Sequence, residues 1–257
     1  MSAHPAESAR TRVGKGLSRA AVVIPARDEA GSLARLLPVL QGFAPGQIVV
    51  ADNGSLDGTG RVARSLGADV VVEPRPGYGA ACAAGLAGLR EAVDIVVFLD
   101  ADLADDVDRL PDLVAPIASG EADLVIGVRP ATLRAPGAMT PPQAFGNWLA
   151  VRLIDWLWGH RYTDLGPFRA IRRSALERLA LADRRFGWTV EMQVRALQEG
   201  LRVVEIPVRY RARPLGRSKI SGTMRGVLGA GGSILYTIGR LWCTDRRGRR
   251  RALGYAE

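Results

Sequence analysis

Asp94-Ile95-Val96-Val97-Phe98-Leu99-Asp100-Ala101-Asp102 is the stretch from which the rest of the chain can be read. Ile95 to Leu99 are uncharged and mostly β-branched or aromatic, which predicts a short strand buried on both faces at the centre of a parallel sheet. The strand runs out into two carboxylates separated by one small residue. In an extended chain end, side chains two positions apart leave on the same side, so Asp100 and Asp102 can converge on one hard cation. Ligands of open α/β sheets collect beyond the carboxyl ends of the strands, which is where this pair falls. A plainer use competes with that reading: helix N-caps favour Asp, and the same acids could cap the next helix.

Composition bounds the alternatives. A chain of 257 residues with 47% hydrophobic residues is long enough for one large α/β domain and too apolar to be disordered throughout. Cys82 and Cys243 form neither a disulfide framework nor a metal set, so a reducing, cytoplasmic setting is the default. His4 and His160 are the only histidines, which leaves little room for histidine-based catalysis or zinc. The net charge of +9 is concentrated: residues 1–19 carry +3, residues 206–224 carry +5 and residues 244–257 carry +3. Such segments attract phosphate, whether on a nucleotide, an anionic lipid or nucleic acid. With aromatics at 6% and no helix-turn-helix or finger pattern, nucleic acid is not an expected partner.

Residues 1–18 are polar, small and charged, without an apolar core, and read as a disordered leader rather than a signal peptide. No stretch has the roughly 20 apolar residues that a bilayer span needs. Ala20 to Ile24 forms a first strand, followed by the loop Pro25-Ala26-Arg27-Asp28-Glu29 and a helix over 32–40 with leucines at helical spacing. A second strand over 47–51 ends in Asp52-Asn53-Gly54, a tight-turn sequence, with a helix over 59–66 after it. A third strand over 69–73 leads to Gly77-Tyr78-Gly79-Ala80-Ala81, whose small residues let a backbone or ligand approach closely at a helix start. A dinucleotide fingerprint is a poor fit here, because Cys82 stands where the third glycine belongs.

Beyond the central strand, a helix over 107–119 and a strand over 122–127 complete a parallel α/β half. The remainder is expected to hold an aromatic-rich amphipathic helix over 143–158, a loop into a short strand over 162–173, a helix over 188–198 and a strand over 202–209. A small-residue amphipathic helix over 225–241 follows. Phe145, Trp148, Leu149, Leu153, Trp156, Leu157 and Trp158 of the 143–158 helix suit either core packing or an interface with membrane or lipid chain.

In this order, the motifs resemble those of family-2 glycosyltransferases of the dolichol-phosphate or polyprenol-phosphate sugar synthase type. The matching pieces are Val-Val-Ile-Pro-Ala-Arg-Asp-Glu at 22–29, Ala-Asp-Asn-Gly-Ser-Leu-Asp-Gly-Thr at 51–59, Gly77-Tyr-Gly-Ala-Ala and Asp100-Ala-Asp102. Asp-Leu-Gly-Pro-Phe-Arg-Ala-Ile at 164–171, Trp-Thr-Val-Glu-Met at 188–192 and Gly-Arg-Ser-Lys-Ile-Ser at 216–221 follow. The resemblance implies the GT-A nucleotide-diphospho-sugar transferase fold, a Rossmann-like, mostly parallel sheet flanked by helices, over residues 19–224. An amphipathic surface helix over 225–243 and a basic tail over 244–257 would be appended.

The resemblance also implies roles. Pro25, Arg27, Glu29, Asp52, Gly77 and Ala101 would line the donor site, with Asp52 meeting the base. Asp100 and Asp102 would hold Mg²⁺ or Mn²⁺ on the diphosphate of a UDP- or GDP-sugar. Arg129 would bind the acceptor phosphate, and Arg213, Ser218 and Lys219 would close over the donor. Metal and guanidinium are apt stabilisers of the charge that grows on a departing diphosphate. A lipid phosphate, with a second pKa near 6, is ionised already and needs no protein base. A hydroxyl acceptor would need one, and Glu191 or Asp105 is the candidate. The chain departs from its lipid-phosphate relatives in the apolar Trp148, with Arg152 as the basic substitute, and in Leu103-Ala104, which leaves water or Asp105 to complete a metal shell. The expectation is an inverting hexosyltransferase, peripheral on the cytoplasmic face of an anionic membrane, with a soluble hydroxyl acceptor as the alternative and homo-oligomerisation left open.

Overall fold

The computed structural model describes residues 13–215 and 224–245. Seven strands form one sheet: β1 (Ala20–Ala26), β2 (Gln47–Asp52), β3 (Asp69–Val72), β4 (Ile95–Phe98), β5 (Leu124–Val128), β6 (Arg169–Arg172) and β7 (Val203–Pro207). Their order is β3-β2-β1-β4-β6-β5-β7, which puts β4 in the middle as its composition requires. β1 pairs parallel with β2 and β4, β2 with β3, and β5 with β7, while β6 runs antiparallel to both β4 and β5. The sheet is therefore mostly parallel, with one reversed strand at the point where the chain re-enters it.

Two apolar layers sandwich the sheet, because successive strand residues point to opposite faces. Val22, Ile24, Val97 and Leu99 pack on one side with Leu33, Leu36, Leu37 and Leu40 of α1 (Ala30–Gly42) and with Leu110, Leu113 and Ile117 of α4 (Leu110–Ala118). Val23, Val96 and Phe98 pack on the other, against Cys82 of α3 (Tyr78–Ala87), Ile154 of α5 (Pro141–Trp158) and Trp188 of α7 (Trp188–Gln198). Phe98 meets Trp188 edge to face at 6.1 Å between ring centroids. α2 (Thr59–Ser65) joins β2 to β3. α5 begins in a capping box of Thr140 and Gln143 with Pro141 at its first position, and stops at Gly159 in a left-handed conformation.

Several expectations shift. The helix over 107–119 is a short 3-10 turn, Val107–Arg109, followed by α4, since Pro111 fits only the first turn of an α-helix. The segment after β6 forms a helix, α6 (Arg173–Leu179), that periodicity over seven residues was too short to signal. The expected leader falls outside the described residues over 1–12, while residues 13–18 are helical and bury Leu17. The last helix, α8 (Met224–Thr244), packs against α5 and α7 and buries Thr237, Ile238 and Leu241, so it is more than a surface appendage. Tail residues 246–257 lie outside the described residues. No helix among the described residues is long and apolar enough to cross a membrane.

Asp123, just before β5, ties the far half of the sheet together. It accepts from the Arg202 guanidinium at 3.0 and 2.9 Å, and Arg172 at the end of β6 lies 3.6 Å away. The Arg202 hydrogen bonds hold its carboxyl down to about 2. A depressed carboxylate contributes stability above the ordinary range near 3.8 that is lost as pH falls through about 2. Arg202 is largely exposed, so screening leaves about 1 kcal/mol of this. Asp123→Asn should unfold in urea with that deficit at neutral pH, and the difference from wild type should close as the pH approaches 2.

Candidate active site

A cavity of ≈ 620 Å³ opens at the carboxyl ends of β1, β2 and β4, lined by Pro25, Arg27, Asp28, Glu29, Asn53, Gly77, Asp100, Ala101, Asp102 and Arg213. The β1 loop is fixed from the β2 turn: the Asp28 amide donates to Ser55 Oγ at 2.9 Å, the Glu29 amide to Thr59 Oγ1 at 2.8 Å and the Ala30 amide to Asp57 Oδ2 at 3.0 Å. Both loops thus present one polar rim.

Asp100 and Asp102 both face this cavity. Asp102 is buried, its Oδ1 accepting from the Ala104 amide at 2.9 Å and its Oδ2 paired with the Arg213 guanidinium at 2.6 Å. Burial, and then the Asp102 carboxylate, push Asp100 up to about 6, with Arg213 and Arg129 opposing. Two crowded carboxylates partly offset by one guanidinium are a site that a divalent cation would relieve. Such an ion would draw the remaining oxygens from a diphosphate and water, since among the described residues no three His, Cys, Asp or Glu side chains are grouped to hold a metal alone. Leu103, at φ 63, turns the chain back on itself, and Asp105 beyond it is buried with both carboxylate oxygens unpartnered. Burial, with Asp100 and Asp102 nearby, raises its pKa well above the carboxylate range.

Asp52 does not line the cavity: its Oδ1 accepts from the Ser55 amide at 2.9 Å, because the turn it opens needs that acceptor. Its neighbour Asn53, passed over in the sequence as a turn residue, takes the place at the rim. The Asn53 amide donates to the carbonyls of Glu73 and Arg75 at 2.8 and 2.7 Å, and its oxygen accepts from the Gly77 amide at 2.9 Å. The close approach expected at Gly77 and Gly79 is made by the chain itself. A Cβ on Gly77 would strike the Arg184 carbonyl oxygen, one on Gly79 the Asp183 carbonyl oxygen, and Gly77 sits at φ 147.

A second cavity, ≈ 240 Å³, shares Tyr78, Asp100 and Phe186 with the first and is walled by α5 and α8 through Gln143, Asn147 and Ile234. Arg129 lines it, held by Asp164 through Nε at 2.7 Å and Nη2 at 2.8 Å and lying over the Tyr210 ring at 4.8 Å. The exposed sides of the two walls carry Phe145 and Trp148, and Leu235 and Tyr236. Phe186, common to both cavities, had no local sequence signal.

Glu191 corrects an expectation. It is fully buried, lines neither cavity, and both its oxygens are taken: Oε2 by the amides of Ala182 and Asp183 at 2.9 and 2.7 Å, Oε1 by Arg240 at 2.8 Å. A carboxylate so placed has no path to an acceptor hydroxyl. Ser218 and Lys219 lie outside the described residues.

This is an α/β fold of GT-A architecture with its larger cavity at the carboxyl ends of the strands. Residues 21–180 match glycosyl transferase family 2, and the chain belongs to that family. It is 42% identical over 214 residues to an uncharacterized glycosyltransferase of Mycobacterium bovis, covering 80% of this chain and 91% of that protein. It is 32% identical over 229 residues to undecaprenyl-phosphate mannosyltransferase of Micrococcus luteus, covering 81% and 90% respectively. Glucosyl-3-phosphoglycerate synthase of Mycobacterium tuberculosis, solved with Mn²⁺, UDP and glucosyl-3-phosphoglycerate, shares the fold at TM-score 0.70 and 22% identity, over 93% of this chain and 87% of that one.

Gly79→Ala is expected to destabilise the protein by about 1–3 kcal/mol, because backbone rather than a pliable side chain meets the new methyl. Urea unfolding measures this, and an unchanged midpoint would contradict the packing described for 183–185.

Proposed function

We propose that the protein is an inverting hexosyltransferase that moves a sugar from a nucleotide-diphosphate donor to a polyprenyl, dolichyl-type phosphate at the cytoplasmic face of the membrane. The observation that carries this reading is Arg129, fixed by Asp164 in a largely apolar cavity that adjoins the carboxylate site across Asp100. A guanidinium amid apolar walls suits a ligand with an anionic head and a hydrocarbon tail. The undecaprenyl-phosphate acceptor named for the Micrococcus luteus relative supports the same class. The exposed aromatics of α5 and α8 and the Arg-rich segments support peripheral contact with an anionic surface.

In this reading Pro25, Arg27, Glu29, Asn53 and Gly77 hold the nucleoside side of the donor, and Ala101 leaves room between the two acids. Asp100 and Asp102 would hold Mg²⁺ or Mn²⁺, which is supported by the Mn²⁺ bound with UDP in the Mycobacterium tuberculosis synthase. Such an ion, when bound, neutralises charge on the departing diphosphate. Arg213 turns its guanidinium from Asp102 towards the same oxygens, and Ser218 and Lys219 follow it in sequence. Arg129 orients the acceptor phosphate, whose oxygen bonds the anomeric carbon as the bond to the diphosphate breaks from the opposite side. No protein base takes part, since the phosphate is already ionised near neutral pH.

The test is a panel of radiolabelled UDP- and GDP-sugars with undecaprenyl phosphate in detergent and Mn²⁺ or Mg²⁺. Label should enter the organic phase, and Asp102→Ala should reduce it by at least about a hundredfold. Label confined to water-soluble product would overturn the acceptor assignment. Asp164→Asn should raise the KM for undecaprenyl phosphate about tenfold, the loss of one charge-assisted hydrogen bond on Arg129, while the KM for the sugar donor changes little.

A further inference from the structure

The loop between α6 and α7 reaches both cavities, and the carboxylates that hold it are in turn tied to the C-terminal helix. Phe186 of this loop lines the two cavities together. Its carbonyls at Arg185 and Arg184 accept from the Gly79 and Ala80 amides at 3.0 and 2.9 Å, at the start of α3. Two carboxylates support the loop from behind. Glu191 Oε2 gathers the amides of Ala182 and Asp183, while Asp183 Oδ1 gathers those of Arg185 and Gly187 at 2.7 and 3.2 Å. Each carboxylate uses its other oxygen on α8: Glu191 Oε1 on Arg240 at 2.8 Å, Asp183 Oδ2 on the Thr237 hydroxyl at 2.8 Å. α8 itself supplies Gly231 and Ile234 to the wall of the second cavity.

We propose that Glu191 and Asp183 are positioning residues through which α8 sets Phe186 between donor and acceptor and keeps water from the reacting carbon. The proposal rests on the reading of the two cavities as donor and acceptor sites. It gives Glu191 a function that its burial permits and a base role does not. Arg240 at 2.8 Å is the closer of two guanidinium groups on the buried Glu191, Arg195 of α7 standing at 3.9 Å, so the loop's anchor draws most of its charge compensation from the α8 contact. When the wall loosens, water takes the acceptor's place: the bond from the anomeric carbon to the diphosphate breaks, a water oxygen bonds that carbon, and the surplus proton passes to solvent.

Arg240→Met, Arg240→Lys and Thr237→Val in the full chain test this. In the nucleotide-free protein, hydrogen exchange at Ala182 and Asp183 and, across the contact, at Gly79 and Ala80 should quicken about tenfold in Arg240→Met, with Arg240→Lys recovering most of it. With whichever of the UDP- or GDP-sugars labels undecaprenyl phosphate in wild type, Arg240→Met should raise the ratio of free to lipid-linked sugar about tenfold, while the Kd for the matching nucleoside diphosphate with Mn²⁺ stays within about twofold. Thr237→Val, which deletes one hydroxyl at nearly constant shape, carries the same comparison if Arg240→Met does not fold. Faster exchange confined to Ala182 and Asp183, or an unchanged ratio of free to lipid-linked sugar, overturns the proposal. Failure of wild type to label any lipid overturns the acceptor reading instead, and exchange at Gly79 and Ala80 still decides whether the clamp couples the two sites.

Discussion

Two carboxylates placed side by side at the end of a buried strand repel one another, and the surroundings must answer that repulsion. In this protein the answer within reach is Arg213, which arrives from the segment after β7 because Arg211 docks on the backbone of Ala104 at 2.8 Å and on Asp106 at 3.4 Å. The partial neutralisation leaves Asp100 pushed up to about 6, chiefly by burial and then by the Asp102 carboxylate. The sheet order, the left-handed Leu103 and the placement of the 209–213 segment all serve to keep that group of charges in one place.

Around this centre the polar groups divide their work. Asn53 shapes the rim of the larger cavity by holding the turn over 73–77, and Asp164 shapes the smaller one by holding Arg129. Both bind neighbouring chain through hydrogen bonds, which is how an open cavity obtains fixed geometry. Glu191 belongs to the same class of support despite lying in a family motif, and the structure accounts for its acid by the two amides and the guanidinium it serves.

Much of the fold was legible because it is written locally. The apolar run into Asp100 and Asp102, the leucine spacing of α1 and the turn residues after β2 each declare an element from adjacent residues. A short strand before Arg173 was read, but neither its reversed direction nor the short helix α6 was, since strand direction depends on what the chain meets and seven residues give no resolvable period. The site divides in the same way. Pro25, Arg27, Glu29, Asp100 and Asp102 stand at strand ends and could be read from position. The Arg129–Asp164 pair and the Glu191–Arg240 contact join residues 35 and 49 positions apart, and the place of Phe186 at the junction depends on the final packing, for which no short window carries a signal.

The reversed strand also divides the molecule by origin. Strands β3, β2, β1 and β4 contribute most of the loops around the larger cavity, while Arg129 and most of the smaller chamber come from chain that follows β5, joined there by Tyr78 and Asp100. Because β6 seals the seam from both edges, segments on the later side can lengthen, shorten or exchange their side chains without disturbing the register of the earlier strands. Such a division leaves one rim of the sheet constant while the chamber beside it is free to be remade.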